Sequence, residues 1–94
     1  MIIVAGWLRV DASDRDRYLD GVASVTALAR DFAGCADFVQ APDPLDPGRI
    51  VIMERWESDE DLLRFRNSGG PELDLPEVRD ASVQKYRISS VEAP

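Results

Sequence analysis

The sequence contains no histidine and a single cysteine, Cys35. Without an imidazole there is no histidine-activated nucleophile, no histidine ligand for haem iron or another metal, and none of the commonest general base at neutral pH. One thiol closes no internal disulfide and builds no thiolate cluster. Chemistry is left to carboxylates, Tyr, Arg, Asn, Trp or the substrate itself. Lys and Arg form no run, and the net charge is −7. Nucleic acid and anionic membranes are held by clustered positive charge, so neither is an expected partner; the acidity serves solubility. Residues 2–10 are apolar but too short to span a bilayer, and they lack a basic flank and a small-residue cleavage site, which points to a cytoplasmic protein. There is no internal repeat, low-complexity tract or linker. Ninety-four residues with 45% apolar content make one folded domain, residues 1–94, near the small end of what folds unaided.

What is present reads as alternating strands and helices. Residues 2–10 are β-branched and apolar on both alternating faces, which suits a central strand buried on two sides. Ser13 with Asp16 three residues on is a weak capping box. The spacing of Tyr18, Val22, Val25, Ala29 and Phe32, with Leu28 beside them, predicts an amphipathic helix over residues 14–33, stopped by Gly34. Residues 35–42 form a weaker strand, and Pro42-Asp43-Pro44-Leu45-Asp46-Pro47-Gly48 is turn material. Residues 49–57 form a second strong strand. Ser58 before Asp59, Glu60 and Asp61 opens a short helix carrying Leu62, Leu63 and Phe65, which Gly69-Gly70-Pro71 ends. Residues 72–81 suggest an irregular helical turn around Pro76, and residues 82–91 return to strand.

The order β-α-β-β-α-β predicts an α+β, ferredoxin-like domain: a four-stranded antiparallel sheet with both helices on one face. Ile3, Ala5 and Trp7, with Val51 and Met53, lie on the side opposite Val4 and Ile52, so the face without helices is also apolar. Leaving a few hundred Å² of it in water costs roughly 25 cal/mol per Å². A second copy packed sheet against sheet, a homodimer, is the expected cover.

Four stretches together resemble the antibiotic biosynthesis monooxygenase-like (quinol monooxygenase-like) family of dimeric α+β barrel proteins. They are the opening Ile2-Ile3-Val4-Ala5-Gly6, Ala33-Gly34-Cys35, the turn Asp43-Pro44-Leu45-Asp46-Pro47-Gly48-Arg49, and Glu54-Arg55-Trp56-Glu57-Ser58 before an acidic helix start. The resemblance covers almost the whole chain. It implies a dimeric α+β barrel and oxygenase chemistry that needs no cofactor. Members acting on polycyclic phenols are similar at Trp56, a tryptophan lining the pocket between sheet and helices. They place an asparagine four residues earlier and a tyrosine six later, where this chain has Ile52 and Leu62. Many quinol-type members carry a histidine where this chain has Phe65, and the haem-degrading relatives use a histidine for iron.

Each candidate residue has two explanations. The indole of Trp56 stacks a planar ligand and donates to a phenolic oxygen, or it is core. Glu54, on the same side of its strand, is a carboxylate base with a raised pKa or a structural acid. Tyr86 offers a pocket hydroxyl or core packing, and Trp7, which faces away from Val4, lines the cavity or the dimer seam, since alternation alone does not fix which face meets the helices. Asn67, Arg66 and Arg64 follow the second helix near the pocket mouth, as ligand contacts or solvated groups. Cys35 is a small buried residue. The expected site is therefore Glu54 and Trp56 as catalytic groups, with Tyr86, Phe65, Asn67 and Leu62 around the substrate and no metal.

The expected activity is a cofactor-independent monooxygenase acting on a hydroquinone or polycyclic phenol, a small aromatic or apolar ligand held between sheet and helices. A non-catalytic dimer of the same fold that binds a small molecule is the alternative, and an isomerase or cyclase is a third. An open cavity containing a carboxylate favours catalysis; filling by Leu62, Leu63 and Phe65 favours binding alone.

Overall fold

Strand β1 (Ile2–Arg9) sits inside the sheet because both of its neighbours are long-range partners. It pairs antiparallel with β3 (Arg49–Trp56) on one side and β4 (Asp80–Arg87) on the other, and β2 (Cys35–Pro42) flanks β3. The sheet order β2-β3-β1-β4, with α1 (Arg15–Arg30) and α2 (Asp59–Arg66) in the two crossovers, is the ferredoxin-like α+β arrangement expected from the pattern. The structure is a computed structural model and describes residues 1–94.

Alternation decides what the helices cover. Ile2, Val4, Ile50, Ile52 and Trp56 are buried on the helix side, and Phe38 of β2 joins them. The core falls into two clusters. Ile2, Val4, Ala29, Phe38, Trp56 and Leu62 form one, and Val10, Tyr18, Val22 and Ile50 the other. The row between them holds Gly6 and Gln40 on either side of Ile52. The opposite face carries Ile3, Ala5, Trp7, Val39, Val51 and Met53, each only partly buried or exposed. Trp7 lies on that face, away from the helices, as its register with Val51 requires. All eight residues of β4 are exposed.

Local chemistry explains where several boundaries depart from expectation. Ser13 does not cap a helix. Residues Ala12–Asp14 form a 3-10 turn, α1 begins at Arg15, and its N-cap Asp14 instead accepts from Arg17. The helix ends at Arg30 rather than 33. Phe32 N–H and Cys35 N–H already close tighter turns onto Ala29 and Phe32, and Gly34 takes a left-handed φ of 91° with the Asp61 side chain against it. Ser58 caps α2 as anticipated, its Oγ accepting from Asp61 N–H at 3.1 Å.

The stretch before β4 makes no helical turn around Pro76. It runs without regular structure, with Pro76 buried and Leu75 packed at Gly21, and prolines at 71 and 76 remove amide donors that a helix needs. Strand β4 starts and ends earlier than residues 82–91, because β1 supplies its ladder and pairs Arg9 with Asp80 through Ile2 with Arg87.

The β2–β3 connection is fixed by its own polar groups. Asp43 accepts from Leu45 and Asp46 N–H and from Arg49, which together hold its carboxyl well below the usual range, at about 2. Arg15 reaches from α1 to donate to the carbonyls of Asp43 and Asp46, and Arg9 clamps Asp46 at 2.6 Å.

Candidate functional site

Residues 54 and 56 share a face of β3, and the fold points that face at the helices. Trp56 is 0% exposed, and its Nε1–H donates to Glu54 Oε1 at 3.0 Å. Two phenylalanines pack on the indole, and a third extends the cluster. Phe32 of the α1–β2 turn meets it edge-on at 6.4 Å, and Phe65 of α2 lies tilted over it at 5.3 Å. Phe65 in turn meets Phe32 at 5.3 Å and Phe38 at 6.1 Å, both edge to face. Leu62 is buried in the same cluster.

Glu54 lies level with Val4 and Phe38 across the sheet. Burial among them pushes its carboxyl above the ordinary 4.5. The Trp56 N–H and the charge of Arg66 pull in the other direction. The indole N–H is its one hydrogen-bond partner within the chain. An acid so placed has a second oxygen free to take a proton and a basicity above that of a solvated carboxylate.

Beside this cluster lies an open cavity of about 420 Å³, within the roughly 300–1,000 Å³ typical of small-molecule sites. Val25, Leu28 and Phe32 form the wall on the α1 side. Phe65 and Arg66 form the other, and residues 68–71 the rim. The cavity stops at the rings of Phe32 and Phe65. Neither Glu54 nor Trp56 lines it, so Phe65 is shared between core and cavity and separates the two.

The structure thus brings Glu54, Trp56, Leu62 and Phe65 together. It does not bring Tyr86 to them. Antiparallel register sets Tyr86 beside Ile3, on the sheet face away from the helices, where it is 51% exposed and its O–H donates to Gln84 Oε1 at 2.9 Å. Arg87 occupies the row of Ile2 and Trp56 instead, and it pairs with Asp59. Asn67 caps the C-terminus of α2, exposed and outside the cavity lining. Arg64 is held by Asp61, while Arg66 does line the cavity. Cys35 stands beside Trp56 in register, its thiol pushed up by burial and so less reactive. No three His, Cys, Asp or Glu side chains converge as a metal site.

Sequence reasoning placed Val25 and Phe32 in the core stripe of α1 and treated residues 69–71 only as a helix stop. The signal for a cavity was Leu28, apolar yet off that stripe, and 50% exposed in the structure.

A model of the antibiotic biosynthesis monooxygenase family matches residues 1–82. No protein of curated function matches the sequence significantly. Among solved structures, a candidate antibiotic biosynthesis monooxygenase from Deinococcus radiodurans superposes with a TM-score of 0.82 at 18% identity, covering 100% of this chain and 98% of its own. A candidate antibiotic biosynthesis monooxygenase from Nitrosomonas europaea gives 0.70 at 14% identity, with 96% and 100% covered. The haem degrader MhuD of Mycobacterium tuberculosis, with two haems bound in its active site, gives 0.72 at 15% identity, with 99% and 100% covered.

Proposed function

This chain belongs to the antibiotic biosynthesis monooxygenase family, and we propose that it is a cytoplasmic, homodimeric monooxygenase of a single domain spanning residues 1–94. It oxidises a hydroquinone or polycyclic phenol with O₂ and without a cofactor. The observation that carries this reading is the half-buried Glu54 carboxylate held by the Trp56 N–H, one aromatic ring away from an apolar cavity. Haem, the ligand named for the Mycobacterium tuberculosis protein, would have to be held here without an imidazole, since the chain has no histidine.

In this scheme the substrate enters between Leu28 and Phe65, and Phe65 turns into the cavity space to open a path to Glu54. Phe65 borders that void on one side, so the turn meets no packed wall. Glu54 takes the phenolic proton. The phenolate passes one electron to O₂, the radical pair combines at a ring carbon, and the peroxide loses water. The substrate loses two hydrogens and gains one oxygen atom, and the second oxygen leaves as water. No external reductant is required. The apolar walls exclude water around the anion, while the Trp56 N–H orients the base.

A second copy on the bare sheet face completes the particle. Burying on the order of a few hundred Å² of Ile3, Ala5, Trp7, Val51 and Met53 is worth several kcal/mol.

Non-catalytic binding is the second reading, and the packing of Phe65 onto Trp56 favours it. Oxygen uptake by metal-free protein with 1,4-naphthalenediol separates the two. Monooxygenation predicts turnover that drops about 100-fold or more in Glu54→Gln, as for loss of a general base. Uptake equal in native protein, Glu54→Gln and Trp56→Phe would remove these residues from the reaction.

A further inference from the structure

The chain carries eleven basic side chains. Nine of them hold a carboxylate or a backbone carbonyl. The two without a partner are Arg55, on the bare sheet face, and Arg66. Arg66 is also the one charged residue in the cavity lining, beside Phe32, Phe65, Leu28 and Val25. In an acidic protein of net charge −7, carboxylates are plentiful, and Asp61 engages Arg64, one turn further along α2. Arg66 is left free at the mouth of an apolar chamber.

The carbonyls at this end of α2 do not occupy it either. Leu63 O accepts from Asn67 N–H, and Phe65 O accepts from both Ser68 N–H and Ser68 Oγ–H. The guanidinium therefore keeps its five N–H donors for something that enters the cavity. Apolar walls with one free planar cation at the rim match a ring system bearing one carboxylate, which an arginine grips through two parallel hydrogen bonds.

We propose that the cavity selects an aromatic carboxylic acid of two or three rings, with its carboxylate on Arg66 and its rings between Phe32, Phe65 and Leu28. This rests on the preceding reading in taking the cavity as the substrate site, and it narrows the substrate from any phenol to a phenolic acid. The carboxylate anchors at the rim, so the ring edge remote from it points inward toward Phe65 and the Glu54–Trp56 pair.

Binding in the absence of turnover tests it. Isothermal titration of the native protein, with 2-naphthoate and with the neutral isostere 2-naphthylmethanol as probes, is expected to favour the acid by roughly tenfold, the low end for a hydrogen bond to a charged group because Arg66 is exposed. The preference should vanish in Arg66→Gln and return in part in Arg66→Lys. Leu28→Trp, which fills the cavity, should abolish both. Equal affinity for the two probes, or a preference that survives Arg66→Gln, overturns the inference. Since no oxygen is consumed, an inert but acid-selective protein refutes only the oxygenase reading. An active protein indifferent to the carboxylate refutes only this one.

Discussion

Glu54 and Trp56 act as a unit because each answers a problem of the other. A buried indole N–H needs an acceptor, and a half-buried carboxylate needs a donor. The carboxyl nonetheless stays above 4.5 because burial outweighs that bond. Such a group binds its proton more tightly folded than unfolded, so between 4.5 and its folded value the native state loses stability as pH rises. Asp43 and Asp59, both held at about 2 by hydrogen bonds, act in the other direction: their contribution is present above 3.8 and is lost as pH falls toward 2. Urea denaturation across pH should show Glu54→Gln removing the decline above 4.5 while leaving the acid limb intact. An unchanged profile would mean that Glu54 is not perturbed by the fold. Phe65→Ala should open the cavity onto Trp56. It should cost about 3–5 kcal/mol and make Trp56 fluorescence accessible to acrylamide; an indole as shielded as in the native protein would show that Phe65 does not separate cavity from core.

At the scale of elements, the turn between β2 and β3 and the seating of β4 invite separate tests. Arg15 donates to carbonyls on that turn which have few other donors. Arg15→Ala should cost about 1–2 kcal/mol, lowering Tm by roughly 5–15 °C in a domain of this size. A Cβ on Gly6 would clash with the Ser82 carbonyl oxygen. Gly6→Ala should therefore loosen β4 selectively, seen as faster amide exchange in residues 80–87 than in β3; uniform exchange would contradict the register.

These elements also show what a sequence carries. β1 and β3 were legible because apolar residues on both faces mark central strands, and Ser58 marked its helix because its hydroxyl has an amide to accept from. β4 was displaced in expectation because all eight of its residues are exposed. With no burial pattern of its own, it takes its limits from β1. Tyr86 was misplaced for the same reason: with no buried residue in the strand, alternation alone does not say which face meets the helices, and pairing with Ile3 turns Tyr86 away from them. Glu54 and Trp56 were legible as a pair from their spacing of two. The cavity was not, because it is formed by residues from two helices and a turn whose meeting depends on packing.

For the whole molecule, one sheet face is covered by helices and the other is not, and two independent consequences follow. Trp7→Arg on the bare face should halve the sedimenting mass without disturbing the Glu54–Trp56 cluster. A native protein that already sediments as a 10.4 kDa species at micromolar concentration would contradict the dimer. The proposed oxygenase chemistry lies on the covered face, and there the fate of the oxygen atoms is the most direct question. Metal-free protein supplied with isotopically labelled O₂ and 1,4-naphthalenediol should yield hydroxynaphthoquinone with one labelled oxygen and the other in water. Unlabelled quinone accompanied by hydrogen peroxide, or no enzyme-dependent product at all, would contradict monooxygenation at this site.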